Sequence, residues 1–225
     1  MKKLLILLFS ILISFNSYGS YHSYSETICV DTDAQEKGGI IYLPSKTKPF
    51  TGKNLCKYEN GQKKSEGNFK DGKKDGKRTS WNENGQIEVE ENFKDGKLID
   101  ETAYLYHENG QKHYEINFKD SKFDGKATMW YENGQIEFEI TYKDGKLDGK
   151  GTAWHENGQL AGEGNYKDGK EDGKVTKWHE NGQIEAEAIY KDGECISGNC
   201  DYFKDRYVVL YKINKKALFF TKKGP

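Results

Sequence analysis

The chain has 225 residues, 32% of them charged, with a mean hydropathy of −0.95 and a formal net charge of −1. Such polarity taken alone points to disorder, and so small a net charge selects neither a nucleic acid nor an anionic membrane as partner. Nearly all the positive charge is lysine. Arginine occurs only at Arg78 and Arg206, so the guanidinium fork on which phosphate and base recognition leans is scarce.

Residues 1–19 read as a signal peptide. Lys2 and Lys3 supply a positive end, Leu4 to Ile13 an apolar run, and Ser17-Tyr18-Gly19 a small-x-small cleavage site. The run is shorter than the ~20 residues a spanning helix needs, and no cysteine follows the cleavage site to carry a lipid. An exported mature chain beginning near Ser20 is expected, in the periplasm, in the cell envelope or secreted.

Residues 20–48 form a non-repeat N-terminal segment. Within it Ile40-Ile41-Tyr42-Leu43 reads as a short strand ended by Pro44.

From residue 49 to residue 193 the chain is periodic. Glu-Asn-Gly-Gln begins at Glu59, Glu83, Glu108, Glu132, Glu156 and Glu180, nearly always 24 residues apart. A fixed period of this length is one supersecondary unit stacked many times. The unit Lys146–Gly169, KLDGKGTAWHENGQLAGEGNYKDG, holds two hairpin signals half a period apart, Asn157-Gly158 and Asp168-Gly169. Each unit is therefore two strands of about seven residues, with no room for a helix. The predicted fold is all-β: an elongated, single-layer antiparallel sheet of tandem 24-residue β-hairpins.

Alternation selects the loop. A three-residue loop Glu83-Asn84-Gly85, with Gly in the left-handed region, sets Trp81 against Ile87 and Thr79 against Val89. One face then collects Thr79, Trp81, Ile87, Val89 and Phe93, followed by Thr128, Trp130, Ile136, Phe138 and Tyr142, with Trp154, Tyr166, Trp178 and Tyr190 beyond. The other face carries Glu66, Glu90, Glu115, Glu139, Glu163 and Glu187 as a solvated ladder at ~10 Å spacing.

Two places depart from the pattern. Gly52-Lys53 opens a degenerate first half-unit in which Lys57 replaces the tryptophan. The stretch Lys97–Thr102 lacks Asp-Gly-Lys and is one residue longer, which predicts a bulge; Tyr106 stands where Trp is expected, and Ser121 replaces a turn glycine. Residues 194–225 are a C-terminal cap, with Tyr207–Tyr211 and Ala217–Phe220 as a hairpin closing the last sheet edge.

Cys29, Cys56, Cys195 and Cys200 are an even set in an exported chain, so disulfides are expected. Three pairings are open, and the local ones, Cys29–Cys56 and Cys195–Cys200, are favoured. No metal or cofactor site is predicted. His107, His155 and His179 share one repeat position, ~10 Å apart, too far to share an ion, and read as surface residues. The carboxylates are spread by repetition rather than converged on a cleft, and no nucleophile elbow, Walker loop or dinucleotide fingerprint occurs. The chain is thus read as no enzyme.

The quoted unit resembles the variant MORN repeat, with its Y/W-x-E/P-N-G-Q and G-x-Y-K-D-G-K elements. PFTGK with YENGQKKSEGNFKDGKKDGK is similar to chains of the YwqK-family antitoxins. The resemblance covers about Pro49 to Gly193. It implies hairpin repeats in one long sheet and no catalytic residues, while relatives of the MORN repeat are linked with membrane attachment and lipid binding.

The expected function is a non-enzymatic repeat scaffold binding a protein partner in the envelope or outside the cell, antitoxin-like neutralisation being one form of it. The alternative is a membrane- or cell-wall-associated structural protein binding lipid or an anionic polymer. A single apolar face ~58 Å wide approaches ~1,400 Å2, more than a soluble monomer usually exposes. Trp130, Trp154 and Trp178, with Tyr142 and Tyr166 on the other margin, are the expected partner-binding residues.

Overall fold

A computed structural model describes residues 26–204. The signal peptide expected at residues 1–19 and the hairpin expected at residues 207–220 lie outside the described residues. The molecule is a long sheet of seventeen strands in which each strand pairs with its sequence neighbour, antiparallel throughout except at the N-terminal edge. There the strand Glu26–Ile28 runs parallel to Gly52–Lys57.

Two kinds of turn build the hairpins. At the Lys-Asp-Gly ends, Asp71, Asp95, Asp144, Asp168 and Asp192 have φ of 51–52°, each followed by a glycine at 77–89°. Two successive left-handed residues make a type I′ turn, whose twist matches the strands it joins. At the Glu-Asn-Gly ends, the Gly85 amide donates to the Asn82 carbonyl and the Asn82 amide to the Gln86 carbonyl, each at 2.9 Å. The loop is the three-residue one, with Gly85 at φ 80°, and Trp81 opposes Ile87.

One rung further the structure departs from the sequence reading. Ser80, not Thr79, opposes Val89, because Glu88 is an extra residue, and Thr79 faces Glu90. The same shift recurs in every unit, at Lys64, His113, Glu137, Ala161 and Glu185. Paired residues share a face and successive residues alternate, so the bulge moves everything beyond it to the other side. Thr79 and Trp81 lie with the glutamates, while Val89 and Phe93 lie opposite. The single apolar face expected from simple alternation is therefore two faces.

Parity explains the bulge. In the fourth unit it aligns Met129 with Phe138 and Ala127 with Ile140, apolar against apolar, and Thr128 with Glu139. Without the extra residue, Thr128 would meet Phe138 and Lys126 would meet Ile140. The resulting core face holds Tyr114, Ile116, Ala127, Met129, Phe138, Ile140, Tyr142, Leu147 and Tyr166. Its rings lean over small residues: a Cβ on Gly151 would meet the Tyr166 ring at 3.1 Å and Ile140 at 3.3 Å.

The irregular third unit contains the bulge expected from its length. Asn92 opposes Asp100 and Phe93 opposes Leu98, which leaves Ile99 over. Ser121 takes the turn position at φ 61°.

Both ends of the described sheet are tied down. On the N-terminal side the helix Val30–Asp33 and the hairpin Gln35–Lys37/Ile40–Tyr42 pack Ile41 against Phe50 and Phe69, and Cys29 is bonded to Cys56. On the C-terminal side the strand Glu194–Gly198 pairs with Ile184–Lys191, Phe203 covers Val175, Ala186 and Ala188, and Cys195 is bonded to Cys200.

The hydroxyl of Tyr114 is buried without a hydrogen-bond partner among the described residues, and burial pushes its pKa up to about 12. An unmatched buried polar group costs about 1–3 kcal/mol. Tyr114→Phe is expected to raise stability by about 1 kcal/mol, read from the urea midpoint at unchanged slope. A lower midpoint would show that the hydroxyl is bonded.

Candidate binding face

The face opposite the core has three lanes. Its middle is a ladder of directly opposed threonine and glutamate: Glu66, Thr79, Glu90 and Thr102 across the first units, then Glu115, Thr128, Glu139, Thr152, Glu163, Thr176 and Glu187. Threonine thus separates consecutive carboxylates. Glu66 and Glu115 pair with Lys63 and Lys112 of their own strands. The other four ladder glutamates each meet a lysine toward the Lys-Asp-Gly ends, Lys77–Glu90 at 2.5 Å, Lys126–Glu139 at 2.8 Å, Lys150–Glu163 at 2.7 Å and Lys174–Glu187 at 2.5 Å. The Lys77 ammonium, donating to Glu90, is the main reason that this carboxyl titrates below its ordinary range. The lysines of these four pairs are more than half exposed, so each pair contributes little to stability.

The third lane, beside the Glu-Asn-Gly loops, is apolar. Trp81 opposes Ile87, Trp130 Ile136, Trp154 Leu160 and Trp178 Ile184. The tryptophans are half-buried, while Leu160 and Ile184 are 38% and 56% exposed. Where a unit has lysine in place of the aliphatic residue, its ammonium lies over the next tryptophan, Lys63 over Trp81 at 5.3 Å and Lys112 over Trp130 at 5.6 Å.

Tyr142 and Tyr166 do not share this strip. Both are buried on the core face, where burial raises their pKa, that of Tyr142 to about 12. The sequence reading set them and the tryptophans on two margins of one groove, and the bulge in each unit separates them. The glutamates, expected on the reverse side, stand beside the tryptophans for the same reason.

Backbone pairing between units stops one rung short of this strip, at Val89–Ala103, Phe138–Ala153 and Gly162–Lys177. Side chains hold the splayed loops instead. The residue before Glu-Asn-Gly-Gln reaches the carbonyl of the next unit's tryptophan: Tyr58 to Trp81 at 2.6 Å, His107 to Trp130 at 2.8 Å, Tyr131 to Trp154 at 2.8 Å and His155 to Trp178 at 2.9 Å. A carbonyl only accepts, so each histidine carries its proton on Nε2. The sequence reading set His107, His155 and His179 at the surface; His107 and His155 are half-buried staples, while His179 in the last unit is exposed.

The loop asparagine is the second staple. In the loops of Asn60, Asn109, Asn133 and Asn157, Oδ1 accepts from the backbone two residues on, and Nδ2 donates to the next unit's glutamate carbonyl at 2.7–3.2 Å.

One seam lacks both staples. Between the second and third units Asn82 is too short and folds back on Gln86, and Asn84 makes no bond to the Glu108 carbonyl among the described residues. Other side chains cross it: Gln86 to the Gly110 carbonyl at 2.7 Å and, from the third unit, Tyr106 to the Ile87 carbonyl at 2.9 Å and Tyr104 to the Glu90 carboxylate at 3.1 Å. A cavity of about 520 Å3 opens there.

Cys29, Asp31 and Cys56 bring ligand atoms within 4.8 Å of one another, but both sulfurs are spent in the disulfide and cannot hold a metal.

The family model of the MORN repeat variant matches six stretches, residues 50–71, 74–95, 102–120, 123–144, 147–168 and 171–192, more than half of the chain. No curated protein matches it. Among solved structures it is similar to a chain of the GtfA/B complex bound to UDP and GlcNAc, with 9% identity over 52% of this chain and 22% of that one, at a TM-score of 0.20. It is also similar to a TarM mutant of S. aureus in complex with Fondaparinux, alpha-GlcNAc-glycerol and UDP, with 11% identity over 77% and 24%, at a TM-score of 0.14. The chain spans less than a quarter of either, and likeness at those scores carries no argument.

Asn157→Ala removes an intra-loop and an inter-unit bond and is expected to cost about 1–3 kcal/mol, localised by hydrogen exchange to the fifth and sixth units. Asn84→Ala, at the unstapled seam, should stay within about 0.5 kcal/mol of wild type. Equal costs would remove the staple from the account.

Proposed function

From the premise that the chain belongs to the MORN repeat variant family, we propose that it is a non-enzymatic scaffold that holds a protein partner against its tryptophan–aliphatic strip. The carrying observation is the exposure of Leu160 and Ile184 beside half-buried Trp154 and Trp178, in register on one face, while the core lies on the other. Large aromatic groups with aliphatic neighbours at a polar rim are what protein interfaces use as anchors. Repetition spaces the carboxylates along a ladder and pairs them with lysine, an arrangement suited to a solvated face and not to proton transfer.

The proposed setting is the cell envelope or outside the cell. The signal-peptide pattern of residues 1–19 and two disulfides support export, since disulfides persist in oxidising compartments. Neutralisation of a toxin is one form such binding can take.

The test immobilises the mature chain from Ser20 and captures from an envelope extract. The paired substitution Leu160→Asp and Ile184→Asp is expected to weaken capture at least tenfold, about 1.4 kcal/mol, with the β-sheet spectrum and melting temperature retained. Wild-type capture should persist at about 0.5 M salt, where exposed charges are screened within a few ångström. Undiminished capture by the variant, or loss of wild-type capture in salt, would reject the strip in favour of an electrostatic surface.

A further inference from the structure

The unstapled seam between the second and third units has the composition of a receptor for one kind of group. In the other four seams of the described sheet a tyrosine or histidine and an asparagine from one unit donate to two carbonyls of the next. The corresponding acceptors here are the carbonyls of Tyr106 and Glu108, and no side chain of the second unit donates to either. What the seam lacks is therefore donors.

Its lining supplies further acceptors, and the Lys112 ammonium beside it is engaged over the Tyr104 ring, 4.9 Å from the centroid. Glu88, the extra residue of its unit, Glu108 and Asn84 line the cavity, and neither carboxylate makes an ion pair among the described residues. No lysine or arginine lines it. The titratable base at its wall, His107, has Nε2 engaged on the Trp130 carbonyl. Tyr104 and Tyr106 add aromatic walls, each with its hydroxyl tethered, to the Glu90 carboxylate at 3.1 Å and to the Ile87 carbonyl at 2.9 Å. Those tethers leave the rings as fixed surfaces.

We propose that this seam is the socket for an arginine side chain of the partner protein. A guanidinium is planar, carries five donors in a fixed fork and stacks on aromatic rings. It can meet carboxylate and carbonyl acceptors together while lying against tyrosine. About 520 Å3 is ample for such a group and the water around it. The seam opens on the same Glu-Asn-Gly margin as the tryptophan strip, so the inference deepens the proposed protein binding and rests on it for the source of the arginine.

The experiment needs no partner. N-acetyl-arginine amide is titrated into the mature chain and followed by amide chemical shifts. Saturable changes are expected at Asn84, Glu88 and Tyr106–Gly110, and not at the stapled loops around Asn133 and Asn157. N-acetyl-lysine amide, a point charge without the fork, should bind several-fold more weakly. Glu88→Gln should weaken arginine binding about tenfold.

Asn82→His supplies the missing staple; histidine already occupies this position at His107, His155 and His179. It should close the seam, abolish the arginine response and slow hydrogen exchange between the two units. Equal shifts at every Glu-Asn-Gly loop, or arginine binding unchanged in Asn82→His, would overturn the socket. Either result leaves the Leu160/Ile184 test standing, so the two readings fail separately.

Discussion

The sheet depends on one extra residue per unit. The bulge at Lys64, Glu88, His113, Glu137, Ala161 and Glu185 sets the register beyond the loop in each hairpin, and in the fourth unit it aligns buried Met129 with Phe138 and Ala127 with Ile140. Pairing between units ends one rung before the loops. Loops left apart in this way would expose unpaired backbone along a whole margin. The Tyr/His and Asn staples close it, each bond contributing about 1 kcal/mol net and considerably more if broken on one side. Stacking is thus carried by backbone pairing toward one margin and by side chains at the other.

This division separates structure from recognition. The core face takes the phenylalanines and the tyrosines near the Asp-Gly turns, whose rings lie over glycine and alanine. The staple face keeps the half-buried tryptophans, whose carbonyls accept from the preceding unit, with Leu160 and Ile184 exposed beside Trp154 and Trp178. The Thr–Glu ladder between the lanes makes the middle of that face polar and keeps like charges two strands apart. A partner that docks on the strip therefore meets an apolar lane bounded by the loop glutamates on one side and the ladder on the other.

The irregular unit has the opposite effect from the regular ones. It keeps the sheet continuous by means of the Ile99 bulge, but the unit before it has a short asparagine at position 82, so the staple at that seam is missing. A repeat array transmits such a defect weakly, because each unit couples mainly to its neighbours. A distinct site can therefore be built into one seam while the other seams carry stability.

The sequence by itself determined the period, the two turn positions, the three-residue Glu-Asn-Gly loop and the Trp–Ile pairing. Each follows from short-range chemistry: Asp-Gly and Asn-Gly tolerate positive φ, and loop length sets the first rungs. It also located the irregular unit, because a missing Asp-Gly and one extra residue are visible without coordinates. Which face each residue takes was decided only in three dimensions. Val89 and Glu90 exchange sides through an insertion at Glu88 that leaves no mark in composition or spacing, being repeated identically in every unit. The staples were hidden for a related reason. The Tyr131–Trp154 and Asn157–Glu180 bonds join residues 23 positions apart, and they form because the tertiary stack brings one loop beside the next.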